Sequence, residues 1–123
     1  MKVLFYATQR NKSAERLQKV VEAVVPQDQL VMHRTLGSLS RRLHQPGNDL
    51  NIAALTATSA EELADIFSLR DFLADIRIIL ILPDRKRATI SKAHTMGPRF
   101  LTYVDSNFEE VKAVLSKMLE KSN

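Results

Sequence analysis

The chain contains no cysteine, which excludes disulfides, thiolate nucleophiles and cysteine-based zinc sites. It also contains no tryptophan, and its aromatic complement is five phenylalanines and two tyrosines. These are not interleaved with basic residues as a base-stacking surface requires. Long hydrophobic runs are missing as well. The most apolar stretch, residues 76–83, is too short to span a bilayer. The first six residues carry one lysine and no cleavage site of small residues, so they read as a strand and not as a secretory leader. Linkers, repeats and low-complexity tracts are absent too. The absence of cysteine fits a reducing, cytoplasmic setting.

What is present is the material of a folded domain. The chain has 123 residues, of which 45% are apolar and 26% charged, an ordinary composition for a globular protein and enough to bury a core. One domain over residues 1–123 is expected. Eighteen Lys and Arg against fourteen Asp and Glu give a net charge of +4, and the isoelectric point is about 9.6. A mildly basic surface follows, one that favours anionic partners. Without a recognition helix or an aromatic platform, nucleic acid is not the expected partner.

Residues 76–82, Ile-Arg-Ile-Ile-Leu-Ile-Leu, hardly alternate. They read as a strand buried on both faces, as in a parallel sheet covered by helices. Residues 3–7 form a first strand of the same kind. Leu17, Val20, Val21, Val24 and Val25 then recur with helical spacing, and Pro26 ends that helix. Asn11 or Ser13 is placed to cap it. Residues 30–35 suit an edge strand. A short helix opens at Gly37-Ser38 and closes at Pro46-Gly47. Residues 50–55 are a third strand, and Ser59 with Glu62 forms a capping box before Leu63, Ile66 and Phe67. Residues 89–96 are a weakly patterned helix stopped by Gly97-Pro98. Residues 100–104 are a fifth strand. Asn107 with Glu110 forms a second capping box, before a last helix carrying Phe108, Val111, Leu115, Met118 and Leu119.

Five strands alternating with five helices imply a three-layer α/β domain with right-handed crossovers. The first, third and fourth strands are the most apolar and belong inside the sheet, whereas the second and fifth suit its edges. This predicts a doubly wound parallel five-stranded sheet of order 2-1-3-4-5, with a crevice beyond the carboxyl ends of the strands. The crevice loops are residues 8–13, 56–59, 84–87 and 105–107.

In topology and spacing the whole chain resembles the receiver domains of bacterial response regulators, which share the flavodoxin-like fold. The resemblance stops short of their chemistry. Where a receiver has its acidic pair, this chain has Ala7 and Thr8. Where the phosphoacceptor aspartate stands, it has Ala54, Leu55 and Thr56. Leu82 and Pro83 replace the hydroxyl residue after the fourth strand, and Tyr103 falls near the lysine of the fifth. Magnesium requires oxygen ligands, usually carboxylates, and these positions supply none. The resemblance therefore implies a pseudo-receiver, a noncatalytic and non-phosphorylatable signalling module that acts by contact. Its partner would be another protein or a second copy of the chain. The surface that such modules use, along the fourth helix, fifth strand and fifth helix, would here include Lys92, His94, Arg99, Tyr103 and Lys112.

A second, local resemblance is to the phosphate loop of flavodoxins, which is rich in Ser and Thr and leads into a helix N-terminus. Thr8 and Ser13 match its first and last hydroxyls. Arg10, Asn11 and Lys12 depart from its pattern but leave a cationic loop for an anion such as phosphate, a nucleotide or a flavin. Asp84 and Asp105 end adjacent strands and could meet in the crevice beside Thr56, although Arg85 and Arg87 make a salt-bridge cluster the simpler reading. His33, His44 and His94 lie on separate elements without helical pairing, so neither a metal nor any other cofactor is expected.

Overall fold

The structure, a computed structural model, describes residues 2–8, 12–46 and 49–121. Five strands, β1 (Lys2–Tyr6), β2 (Leu30–His33), β3 (Leu50–Thr56), β4 (Arg77–Leu82) and β5 (Phe100–Tyr103), form one sheet in the order β2-β1-β3-β4-β5. All four pairings are parallel. Between and after the strands run α1 (Lys12–Val24), α2 (Leu36–His44), α3 (Ala60–Phe67), α4 (Arg87–His94) and α5 (Glu109–Lys121). This is the doubly wound, three-layer arrangement of the flavodoxin-like fold that the apolar strands predict.

The sheet divides the core in two. Leu4, Tyr6, Ala53, Leu55, Leu80 and Leu82 face α2, α3 and α4, meeting Leu39, Leu43, Leu63, Ile66 and Ala93. Val3, Phe5, Ile52, Ala54, Ile79 and Ile81 face the other way, against Leu17 and Val21 of α1 and Val111, Leu115 and Met118 of α5. Successive residues of β3 and β4 are therefore buried on opposite faces, which is why these strands read as unbroken apolar runs. Each fully buried Leu or Ile contributes about 2 kcal/mol of transfer free energy.

Local chemistry moves several element ends. The second strand stops at His33 instead of residue 35, because Thr35 turns out of the sheet to cap α2. Its hydroxyl accepts the Ser38 N–H at 3.1 Å. The second helix accordingly begins at Leu36, ahead of Gly37-Ser38. Of the pair expected to close it, Pro46 is described and Gly47 lies outside the described residues. The third strand runs one residue further, to Thr56. The fourth helix begins at Arg87 and ends at His94, and Gly97 follows with a left-handed φ of +64°, a conformation that glycine adopts at little cost. Phe108 stands before α5 and not within it. It also has a left-handed φ of 63°, fixed from both sides. Its N–H donates to Ser106 Oγ at 2.9 Å, and Asn107 Oδ1 accepts from the N–H of Glu109 at 3.1 Å. Asn107 therefore serves the residue before Glu110, one position short of a capping box.

Candidate functional site

The crevice at the carboxyl ends of the strands begins with Glu62, which β3 and α3 place beside Thr8. Ser59 caps α3, its hydroxyl accepting the Glu62 N–H at 3.1 Å. The Glu62 side chain does not return to the backbone of Ser59, as a capping box would have it. Its carboxylate accepts the Thr58 N–H at 2.7 Å and the hydroxyls of both Thr58 and Thr8. Burial pushes the Glu62 carboxyl up, but the hydrogen bonds from Thr58 and Thr8 outweigh it and hold the group below its ordinary range. Tyr6, buried at the end of β1, is pushed up to about 12 by desolvation, with the carboxylates of Glu62 and Asp65 adding to it. Thr56 is only 3% exposed, and its hydroxyl has no partner among the described residues.

The other side of the crevice is built by the loops after β4 and β5. Asp84 and Asp105 do not pair there. Asp84 is held below the ordinary carboxylate range chiefly by a hydrogen bond from the Thr89 side chain, then by the Lys86 N–H, which it accepts at 2.9 Å. It thereby serves the start of α4. Asp105 instead accepts two hydrogen bonds of 2.9 Å from the Arg85 guanidinium. That guanidinium lies 4.1 Å from the centroid of the Tyr103 ring. The pair is 57% and 63% exposed, so it orders the loops more than it stabilises the fold.

The loop before α1 is described only at its ends. Thr8 is engaged with Glu62, and the Ser13 hydroxyl donates to the carbonyl of Val104 at 2.9 Å, so Ser13 ties α1 to the end of β5 and does not cap its own helix. Lys12 is exposed as the first residue of α1. Arg10 and Asn11 lie outside the described residues.

The remaining expected residues lie on α4, on α5, in β5 and just ahead of β5. Lys92 and His94 are exposed on α4, with the Lys92 ammonium 5.4 Å from the ring centroid of Phe67. Arg99 is exposed just ahead of β5, anchored by its N–H on the Ile78 carbonyl at 2.8 Å. Tyr103 is half-buried under Arg85, and Lys112 is exposed on α5. The histidines stay apart: His44 packs against Phe72 with the ring centroids 4.0 Å apart and the planes tilted by 41°, and His33 on β2 buries an Nε2 that has no partner among the described residues. No cluster of three metal-ligating side chains occurs among the described residues, and no helix among them is long and apolar enough to cross a membrane.

Two features escape sequence reasoning. Glu62 is absorbed by its capping role, and its partner Thr8 lies 54 positions away. A groove lined by Arg77, Arg99, Lys117 and Lys121 draws its cations from three separate segments. No protein-family model matches the chain, and a search of curated proteins likewise finds no match.

Proposed function

We propose that the chain is a noncatalytic, receiver-like module, a pseudo-receiver, that signals by contact with another protein or a second copy of itself through α4, β5 and α5. One observation carries the reading. The strand ends where phosphoryl chemistry would need carboxylates hold Ala7, Thr8 and Thr56, and Thr56 is 3% exposed. The nearby carboxylate of Glu62 already accepts three hydrogen bonds from Thr8 and Thr58, out of about four acceptor sites. A magnesium ion requires oxygen ligands with free lone pairs, and a phosphoacceptor must be reachable. Tyr103, pinned beneath the Arg85–Asp105 pair, supplies a half-buried aromatic on the contact face, the kind of residue on which interfaces depend.

The same geometry weighs against an anion in the loop of residues 8–13, since Thr8 already faces a carboxylate that would repel one. The amide spectrum of the protein tests the reading. Magnesium with beryllofluoride leaves the resonances of Ala7, Thr8, Thr56 and Thr58 unmoved if the crevice is inert. A magnesium-dependent shift at those residues overturns it.

A further inference from the structure

At the end of the sheet opposite the crevice lies a groove of about 210 Å³, lined by Arg77, Arg99, Val114, Lys117, Met118 and Lys121. Four of these six residues are cationic and none is acidic. Val114, Lys117, Met118 and Lys121 follow at i, i+3, i+4 and i+7, so they share one face of α5. Arg77 opens β4 and donates from its guanidinium to the Met118 carbonyl at 3.4 Å, which sets the guanidinium against the helix. Arg99 projects from a backbone fixed to the sheet by the hydrogen bond to Ile78. Neither Arg99 nor Lys117 nor Lys121 forms an ion pair among the described residues.

The helix alone does not account for this cluster. Lys121 in the last turn of α5 is the cation that the helix C-terminus favours. Arg77 and Arg99, however, come from the sheet side. Like charges drawn together on a recessed surface raise the local potential and concentrate counter-ions. The apolar side chains of Val114 and Met118 add a surface for a hydrocarbon stem. The volume suits one tetrahedral anion on a short stem.

We propose that this groove binds a small soluble organic phosphate, its dianion held by Arg99, Lys117 and Lys121 with Arg77 beneath, and its stem against Val114 and Met118. The site is separate from the crevice. It shares Arg99 and α5 with the proposed contact face, but it follows from the groove and not from that reading.

Methyl-resolved NMR titration with phenyl phosphate and with inorganic phosphate tests it. Saturable shifts of the Val114 and Met118 methyls are expected with phenyl phosphate, and weaker binding with inorganic phosphate, which lacks the stem. The double variant Arg99→Glu, Lys117→Glu changes two exposed side chains, and an unchanged pattern of core methyl resonances verifies that it folds. It should bind roughly tenfold more weakly or worse, whereas Lys19→Glu on α1 should bind as the wild type does. Absence of saturable shifts, shifts centred on Thr8 and Ser13, or binding indifferent to the double charge reversal would overturn the proposal.

Discussion

The hydroxyl of Thr8 donates to the carboxylate of Glu62, tying the end of the first strand to the third helix across 54 positions of sequence. Because Thr58 donates to the same carboxylate through both its N–H and its hydroxyl, Glu62 is the junction of two crevice loops. Replacing it by Gln leaves the shape but removes the charge that these donors are arranged around. We expect Glu62→Gln to cost about 1 kcal/mol, less than the usual value for hydrogen bonds to a charged group because the site is partly solvent-screened. A double-mutant cycle with Thr58→Val in urea should show the two effects to be coupled. The folded-state pKa of Glu62 is depressed from its ordinary 4.5. Its contribution is therefore complete above that value and is lost as pH falls through the folded-state value.

His33 acts at higher pH. Its pKa is lowered from 6.5, first by burial and then by the nearby charges of Arg42 and Arg41. The unfolded chain thus takes up a proton more readily than the folded one below 6.5. Stability should be full above that value and decline as pH falls through it. Thermal midpoints of the wild type measured from about pH 8 to about pH 5 should drop on the acid side, whereas those of His33→Gln should remain nearly level over the same window.

Thr56 buries a hydroxyl that has no partner among the described residues. Val has the same branched shape and no polar atom, so Thr56→Val removes a desolvation cost without opening a cavity. The variant should be more stable by about 1 kcal/mol, a rise of roughly 4 °C in Tm. A lower Tm would mean that the hydroxyl has a partner in solution.

Phe108 combines two opposed demands. It is 1% exposed in the core between α1 and α5, and its φ of 63° is one that bulky residues resist. Truncation to Ala forfeits packing worth about 3–5 kcal/mol and keeps the left-handed backbone. Truncation to Gly forfeits the same packing and relieves the backbone by roughly 1 kcal/mol. We therefore expect Phe108→Gly to be more stable than Phe108→Ala in urea unfolding, the reverse of the order at an ordinary helical site.

The sheet was readable because β3 and β4 bury both faces, so their apolar residues lie side by side in sequence and show the parallel order directly. Edges were readable from His33 and Arg34 for the same reason in reverse. Ends of elements were less so. Thr35 could equally finish a strand or cap a helix, and only its hydrogen bond to Ser38 separates the two. The site depended on contacts that sequence spacing does not encode. Arg85 and Asp105 lie 20 positions apart, and nothing local says that Arg85 would choose Asp105 and the Tyr103 ring over its neighbour Asp84. Asp84 in turn is claimed by the backbone at the start of α4. The basic groove requires β4, the approach to β5 and the end of α5 to converge, which is visible only once the sheet order is known.

The most direct test of the central claim is site-specific photo-crosslinking in cells. A crosslinking residue would replace Lys92, Arg99 or Lys112 on the α4–β5–α5 side, and Lys19 or Glu22 on α1 as controls. Discrete protein adducts, heterologous or with a second copy of the chain, should form from the first three positions and not from the last two. Adducts confined to Lys19 and Glu22, or their absence from all five positions, would contradict the account.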